Sequence, residues 1–312
     1  MAEAYFVNRG ESVDYTPTVA VTGGQVLQLV DGRAAVAMVD IAAGALGSLQ
    51  TCGIHEVAKT ASMVVLKGSR LYWDHSANAA HLLHRNDKDF FIGVAEEDAA
   101  SAATTVKVAL NVDAVYTLSL ASGFVSVPIN TAGFPFASGS GEGVNLGFSA
   151  TAEAQKVDAL SHRGMSPAAN AIVDALICVN TNGDAAAVDI NVGLANATHA
   201  TDADSITESL FVHIDGASTN ILLESDDGTT EVAATDSTID FTAGTPFLVQ
   251  WDMRDNSDIQ VYINGVNVLP NSVFDISAAT GPLKLLAHME KTSDDSPGNV
   301  SVMLLGARTF EE

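Results

Sequence analysis

Cysteine, positive charge and long apolar runs are all scarce in this chain, and each shortage excludes a class of protein. The two cysteines, Cys52 and Cys178, stand in apolar surroundings in different halves of the sequence. We expect buried free thiols, since nothing resembles a disulfide framework or a zinc-binding spacing. No apolar run approaches the ~20 residues of a membrane helix, so no membrane partner is expected. The N-terminus lacks a basic segment followed by an apolar one, which predicts synthesis in a cytoplasm without a secretory signal.

The charge balance is strongly negative and unevenly distributed. The 312 residues include 14 Lys and Arg against 38 Asp and Glu, a net charge of −24. Residues 1–112 contribute −4, from 8 basic and 12 acidic residues, whereas residues 113–312 contribute −20, from 6 and 26. A surface this acidic repels phosphate backbones and anionic lipid, so no nucleic-acid partner is expected.

Short alternating segments between turn residues predict an all-β fold with two domains. Residues 1–112 are expected to form a small β-barrel-like domain, and residues 113–312 an antiparallel jelly-roll β-sandwich. The border is expected between residues 111 and 125. Strands of the first domain are predicted at residues 26–30, 34–39, 63–66, 70–73, 90–94 and 105–110.

The second domain contains the most specific pattern in the chain. In "FLVQWDMRDNSDIQVYINGVNV", two alternating segments are followed by Asn264-Gly265. This dipeptide is the favoured two-residue hairpin turn because both positions need positive φ. Further alternating strands are predicted at residues 188–194, 210–214 and 300–305.

Two segments of the second domain are ambiguous or irregular. The stretch "MSPAANAIVDAL" fits a helix with Ser166 as N-cap and Pro167 at the first helical position. It fits equally well a turn leading into a strand from Ile172 to Val179. The Gly- and Ser-rich stretch "INTAGFPFASGSGEGVN" predicts a packed loop.

A weak internal repeat is present in the first domain. "VAMVDIAAGA" at residues 36–45 matches "VAEEDAASAA" at residues 94–103 in five of ten positions. Both stretches have the composition of a strand end followed by an aspartate and a loop of small residues. The pattern predicts two equivalent corners between strand and loop.

The stretch "GSRLYWDHSANAAHLLH" raises the question of a metal or catalytic site, since it holds three of the eight histidines. His75, His81 and His84 lack a well-spaced carboxylate or cysteine partner, so we predict exposed histidines in a loop. Tyr72, Trp73 and Asp74 are predicted to form a structural corner, in which the aspartate starts a turn.

No other motif predicts catalysis. A G-x-S-x-G nucleophile motif is absent, and "SGSGEG" lacks the Lys and Ser/Thr of a phosphate loop. We therefore expect no enzyme and no cofactor. The acidic stretches at residues 201–205, 224–231 and 293–299 could include one calcium site, and the alternative is that aspartates populate these turns for backbone reasons.

The first domain resembles the bacteriophage capsid cement, or decoration, protein family over about residues 3–111. The likeness depends on Gly68, Leu71 and the Tyr72-Trp73-Asp74 corner, on the strand Ile92–Ala95, and on alternating Val106, Val108 and Leu110. The insert "HLLHRNDKD" before Phe90 departs from the family pattern. The second domain is similar to laminin-G-like or concanavalin-type jelly rolls through its Trp251 strand and Asn264-Gly265 hairpin.

The resemblance implies a protein of the virion that binds the outer capsid surface and stabilises the assembled head. The implied partners are the major capsid protein and further copies of the same chain, arranged as trimers at three-fold or quasi-three-fold sites. The first 12 residues would form an extended arm, with Tyr5, Phe6, Val7 and Arg9 as capsid contacts. The alternative function is a carbohydrate-binding or host-surface adhesion module that recognises surface glycans.

Overall fold

The computed structural model describes residues 10–126, 136–140, 143–200 and 202–310, and it confirms the all-β prediction. Strands account for 53% and helices for 2% of the residues. The chain divides into two compact units, of which unit 1 ends at Val115 and unit 2 begins at Tyr116. No helix among the described residues is long and apolar enough to cross a membrane.

Unit 1 contains two antiparallel sheets, with strand orders β1-β4-β3-β2 and β5-β9-β8-β6-β7. In the described residues these sheets do not close into a barrel. The predicted strand at 63–66 is wrong, because only Val65 forms an isolated bridge, to Ala99. The strands are β1 Ser12–Tyr15, β2 Val26–Gln28, β3 Ala34–Ala37, β4 Gly47–Gln50, β5 Ile54–Ala58, β6 Arg70–Asp74, β7 Ala79–His81, β8 Phe90–Ala95 and β9 Thr105–Leu110.

The two sheets of unit 1 are copies of one arrangement. Strands β1, β4, β3 and β2 take the same order as β5, β9, β8 and β6. The isolated bridge between Val21 and Ile41 in the first copy has its counterpart between Val65 and Ala99 in the second. We call β1–β4 the first repeat and β5–β9 the second repeat.

The predicted pair of corners lies at the same place in both repeats. Asp40 accepts a hydrogen bond from the backbone N–H of Gly23 at 2.8 Å, and Asp98 accepts one from that of Lys67 at 2.7 Å. Each aspartate therefore fastens its corner to the loop that precedes the paired strand. We call residues 38–46 the first corner and residues 96–104 the second corner.

The second repeat differs by an insertion in its central hairpin. Val21 and Val65 are 44 positions apart, whereas Ile41 and Ala99, which follow the hairpin, are 58 apart. The additional fourteen residues contain β7, which pairs with β6 and has no counterpart in the first repeat. The insertion coincides with the segment in which the sequence departs from the family pattern.

Unit 2 is an antiparallel sandwich of an eight-stranded and a seven-stranded sheet, as predicted. The eight-stranded sheet has the order β12-β13-β24-β15-β20-β21-β22, and its eighth strand, β10, also pairs with β24. The seven-stranded sheet has the order β11-β14-β23-β16-β17-β18-β19. The strands are β10 Leu118–Ser119, β11 Phe124–Ser126, β12 Phe136–Ser140, β13 Gly143–Phe148, β14 Glu153–Met165, β15 Ala171–Thr181, β16 Val188–Ala195, β17 Ser209–Asp215, β18 Asn220–Asp226, β19 Glu231–Asp240, β20 Phe247–Asp252, β21 Gln260–Ile263, β22 Val266–Val268, β23 Leu283–Asp294 and β24 Gly298–Thr309.

One apolar core fills the space between these two sheets. Alternate residues of each strand enter it, because successive side chains of a strand point to opposite faces. Trp251 is among the largest fully buried side chains. Asn264 and Gly265 both have positive φ, at 52° and 80°, as the predicted hairpin turn requires.

Two local predictions for unit 2 are corrected by the fold. The helix starting at Ser166 is wrong: Ser166 and Pro167 lie in a turn, and the alternative, a strand, forms as Ala171–Thr181. This strand pairs on both sides, with β20 and β24, and it is buried along most of its length. The alternate residues Ala171, Val173, Ala175, Ile177 and Val179 enter the core between the two sheets. The predicted loop contains β12 and β13, and Gly143 is required there because a Cβ would lie 2.1 Å from a carbonyl oxygen of β24.

The equivalence of the two corners predicts equal energetic roles for Asp40 and Asp98. We expect Asp40→Ala and Asp98→Ala each to lower the free energy of unfolding of unit 1 by about 1 kcal/mol, because each removes the acceptor for one backbone N–H. Asn substitutions keep an acceptor oxygen and should have smaller effects. Urea unfolding followed by Trp73 fluorescence in a Trp251→Phe background measures this, and a loss confined to one corner would contradict it.

Candidate functional site

Unit 1 exposes an unusual number of large apolar side chains. Of the eleven such residues found exposed in the described part of the chain, eight belong to this smaller unit. Concentrations of exposed apolar residues are typical of protein interaction surfaces. The eight are Val19, Val30, Met38, Val39, Leu46, Ile54, Val112 and Val115.

Four of these residues lie on two loops that are hydrogen-bonded to each other. Val19 lies on the loop after β1, and Met38, Val39 and Leu46 belong to the first corner. Their exposed fractions are 75%, 61%, 64% and 73%. Backbone hydrogen bonds in both directions between Val21 and Ile41 hold the loops together. We call the four exposed residues the apolar corner.

The second repeat provides an internal comparison for this surface. At the positions equivalent to Met38 and Val39 it carries Glu96 and Glu97, which are exposed. Both corners make the same bridge hydrogen bonds, between Val21 and Ile41 in the first and between Val65 and Ala99 in the second, so the fold accepts charged residues at these positions. The apolar side chains of the first corner are therefore not needed for folding, and a contact outside the chain accounts for them better.

An open groove of about 630 Å³ borders the apolar corner within unit 1. It lies between β2 and β5, which are edge strands of their sheets, and Met38 and Trp73 contribute to its lining. Edge strands present unpaired backbone groups. The groove thus combines apolar side chains with backbone groups that an extended segment of a partner can pair with.

The residues predicted to form a structural corner lie at the end of β6. Trp73 is buried, and Tyr72 contacts the rings of Phe91 and His84 edge-on. Asp74 ends the strand and accepts hydrogen bonds from the backbone N–H groups of Ser76 and Ala77, both at 2.9 Å. These contacts organise the start of the insertion.

The three histidines of this region have different environments. His75 and His84 are exposed, but His81 is 2% exposed on β7, so the prediction of an exposed loop is wrong for His81. Its Nδ1 accepts a hydrogen bond from the backbone N–H of Leu83 at 3.0 Å. Burial and the charge of Arg85 lower the pKa of His81 to about 4, although the charges of Asp74 and Asp89 oppose this. His81 is therefore a neutral structural residue.

The predicted arm contacts Tyr5, Phe6, Val7 and Arg9 lie outside the described residues.

Unit 2 carries a polar cluster on the outer face of its seven-stranded sheet. Strand pairing places its members in two neighbouring rows across β14, β23, β16 and β17, while alternate residues of these strands enter the core. The first row consists of Asp158, His288, Asn191 and His213, and the second of Lys156, Glu290, Asp189 and Asp215.

Two further carboxylates, which lie outside the two rows, complete this polar cluster. We call the rows and these carboxylates together the acidic cluster. Glu224 lies on β18, and Asp204 lies in the short 3-10 helix Ala203–Ser205. Ala203 and Ile206 pack with Phe211 on the outer face of the sheet and so fix the position of that helix. Asp204 and Glu224 come from two stretches that the sequence marks as candidate calcium loops, but sequence alone does not show that they meet.

His213 occupies the centre of the cluster, where it is 4% exposed. Its Nδ1 lies 3.2 Å from Asp204 Oδ1 and 3.3 Å from Glu224 Oε2, and its Nε2 lies 3.2 Å from Asp189 Oδ1 and 3.1 Å from Asp215 Oδ1. Asn191 is wholly buried and donates to Asp204 and Glu224, each at 2.9 Å. His213 is thus the cation around which four carboxylates are held.

The pKa values in the cluster follow from burial and from these contacts. Burial lowers the pKa of His213, but hydrogen bonds to Asp204 and Glu224 and the charge of Asp189 outweigh it and raise the pKa to about 12. Burial raises the pKa of Asp189 to about 7, although the charge of His213 opposes this. For His288 the effect of burial is outweighed by Asp158 and Glu290, which raise its pKa to about 9. Both histidines are therefore charged at neutral pH.

Comparison with known proteins finds a family match for the N-terminal region. Residues 7–110 match the phage cement protein family. The match covers the two repeats of unit 1, including the apolar corner and the insertion, and confirms the resemblance inferred from the Tyr72-Trp73-Asp74 corner. Cement proteins of phages are structural components of the capsid, which accords with the expected location in the virion. No curated protein matches the chain.

Several solved structures are weakly similar to part of the chain. The carbohydrate recognition domain of Emp47p has a TM-score of 0.39 at 8% identity and covers 60% of this chain and 89% of its own. A carbohydrate esterase of the Shiga toxin-encoding bacteriophage phi24B has a TM-score of 0.38 at 10% identity, covering 63% and 99%. Protein SO2946 of Shewanella oneidensis has a TM-score of 0.38 at 13% identity, covering 60% and 77%. Scores and identities this low do not bear on function.

The neutral, buried His81 predicts that unit 1, which matches the cement family, loses stability in mild acid. The pKa of His81 is lower in the folded state, about 4, than its ordinary value of 6.5, so the unfolded chain binds the extra proton. The contribution is present above pH 6.5 and is lost as the pH falls towards 4, by roughly 2 kcal/mol once solvent screening is allowed for. Urea unfolding followed by Trp73 fluorescence in a Trp251→Phe background should show this loss when His81 is present and a flatter profile in His81→Asn.

The central position of His213 predicts that unit 2 depends on its positive charge. We expect His213→Gln to lower the free energy of unfolding of unit 2 by about 3 kcal/mol at pH 7, because four carboxylates lose their shared cation. Adding Glu224→Gln should restore part of the loss by removing one of them. Trp251 fluorescence in a Trp73→Phe background reports this unfolding, and equal stability of the single and double variants would contradict the role of His213.

Proposed function

We propose that this protein is a phage capsid decoration protein that binds the outer surface of the assembled head and stabilises it without catalysis. Unit 1 is the attachment unit, and the major capsid protein is its partner. Three copies group at three-fold or quasi-three-fold positions of the capsid.

The family match at residues 7–110 carries this proposal, because it covers the unit that exposes most of the large apolar side chains. The apolar corner is the surface proposed to contact the capsid. Burying the side chains of Met38, Val39, Leu46 and Val19 gives roughly 1.5–3 kcal/mol each before the entropy of association is subtracted. A surface of this size supports modest attachment by one copy, and a trimer multiplies it by avidity.

The distribution of charge supports the same division of roles. Residues 1–112 carry only −4 of the net charge of −24, so they approach a protein surface with little repulsion. The −20 of residues 113–312 is suited to an outward position, where it repels neighbouring particles and keeps them dispersed. Capsid contacts of the arm residues Tyr5, Phe6, Val7 and Arg9, and glycan adhesion by unit 2, stay predictions.

The test replaces two residues of the apolar corner by the residues found at the equivalent positions of the second corner. In Met38→Glu/Val39→Glu, the first corner carries the glutamates that the second corner has at Glu96 and Glu97, so the fold should be retained. We expect this variant to bind undecorated heads roughly 100-fold more weakly, because two apolar contacts are replaced by buried charges. Cosedimentation with purified heads measures affinity, and imaging of decorated heads should show three-fold density.

The matched control is Glu96→Gln/Glu97→Gln, which alters charge at the equivalent positions of the second corner and should bind like the parent chain. Parent-like binding by the Met38→Glu/Val39→Glu variant would show that another surface attaches to the capsid. Absence of any binding by the parent chain would instead refute capsid decoration itself.

A further inference from the structure

The insertion of the second repeat is attached to the rest of unit 1 through a short strand. This strand, β7, pairs with the last three residues of β6. On its other side, the backbone N–H of Thr60 donates to the carbonyl oxygen of Ala80 at 3.0 Å. The first repeat has the same order of four strands without a counterpart of β7. The framework therefore does not require the insertion, which can detach as a separate segment.

The first repeat also shows what the insertion covers. Leu71 and Trp73 of β6 are buried, whereas Leu27 and Leu29, at the equivalent positions 44 residues earlier, are half-buried. Both leucines pack only partly against a small core. Without the insertion, β6 would become an edge strand like β2, with partly exposed apolar side chains and unpaired backbone groups.

His81 stabilises the insertion by a contact that requires a neutral ring. Its side chain is buried on β7, and its Nδ1 accepts a hydrogen bond from the backbone N–H of Leu83 at 3.0 Å. A protonated imidazole carries N–H groups on both nitrogens and accepts no hydrogen bond. Protonation therefore breaks this contact and leaves a charge buried inside the insertion, which is costly.

The charged groups around His81 come from every segment that packs against it. Asp74 of β6 and Asp89 of the insertion favour a charged ring, and Arg85 disfavours it. Both carboxylates already accept hydrogen bonds from backbone N–H groups of the neighbouring turns. On the side of β5, the buried Lys59 is a further cation, and its backbone bridges to Ala80. Burial outweighs the two carboxylates, so the closed insertion holds His81 neutral.

We propose that the insertion is an acid-sensitive flap, in which protonation of His81 releases β7 from β6 while both sheets of unit 1 stay folded. Opening uncovers the edge of β6 and the side chain of Trp73, so unit 1 gains a second exposed strand edge in mild acid. This device does not depend on capsid attachment, since all its contacts lie within the second repeat.

The test is hydrogen exchange of backbone amides in the full chain, measured by NMR and expressed as protection factors, which remove the pH dependence of the intrinsic rate. The amides of Thr60 and Leu83 report release of the insertion, because they donate to Ala80 and His81. We expect their protection to fall about 50-fold between pH 7 and pH 4.5, because the pKa of His81 returns from about 4 to 6.5 on opening.

The amides of Val65 and Ala99, which bond to each other's carbonyl groups, report unfolding of the second repeat as a whole. At both pH values they should be more protected than those of Thr60 and Leu83. They should also respond more strongly to urea, because release of the insertion exposes little surface. Equal protection and equal urea dependence of the two pairs would show that the insertion opens only when the unit unfolds, and would overturn the proposal.

His81→Asn separates protonation from the hydrogen bond. Asparagine Oδ1 can accept from the N–H two residues on, as in an Asx turn, but it does not titrate. The protection of the Thr60 amide should then be independent of pH. His75→Asn is the matched control, because it removes an exposed histidine of the same insertion and should keep the full change.

Arg85→Gln provides a second variant that leaves His81 in place. It removes the cation beside the ring, so the closed form tolerates protonation better and the change in protection should shrink severalfold. A pH dependence that survives His81→Asn, that is lost in His75→Asn, or that is unaltered by Arg85→Gln would contradict the role given to His81.

Discussion

Burial of one face of every long strand is the constraint on which the organisation of unit 2 depends. The two sheets enclose a core that takes alternate residues, such as Ile190 and Val192 of β16. The intervening residues, Asp189 and Asn191, must then lie on the outer face. Because the neighbouring strands obey the same alternation and are paired in register, their polar residues meet in rows. The acidic cluster is thus a consequence of apolar packing on the opposite face of the same strands.

Unit 1 shows how a duplicated framework can be specialised. Both repeats keep the aspartate that fastens the corner and the bridge that holds the loops together. They differ in the side chains that these corners present, with methionine and valine in one and two glutamates in the other. Features shared by the repeats therefore serve the fold, and features confined to one repeat are where function is to be sought.

Much of the fold could be predicted from sequence because its signals are local. Alternation marked the strands, Asn264-Gly265 marked a hairpin, and ten residues of weak similarity located both corners. The helix proposed from Ser166 failed because a capping pattern competes with strand pairing on both sides, which depends on distant residues. His81 was placed in an exposed loop because a three-residue strand such as β7 has no periodicity to detect.

The acidic cluster could not be predicted from sequence, because it depends on strand pairing between residues that are distant in the chain. Asp204 and Glu224 stood in stretches that the sequence marked separately, and His213 lies within the strand predicted at residues 210–214. What joins them is the register between β16, β17 and β18, and this is a non-local property. Asp189 and Glu290, in turn, look like ordinary polar positions of alternating strands until the pairing is known.

The insertion in the second repeat has a consequence for how the molecule can be altered. The same hairpin occurs twice in unit 1, once with a tight turn at Asp31-Gly32 and once with fourteen more residues and an added strand. Sheet pairing on either side is the same in both, so the length of this connection is independent of the framework. Since Val30 at the short turn is fully exposed, that turn is the natural point at which to graft a foreign peptide. On a particle decorated with many copies, such a graft would become a regular array.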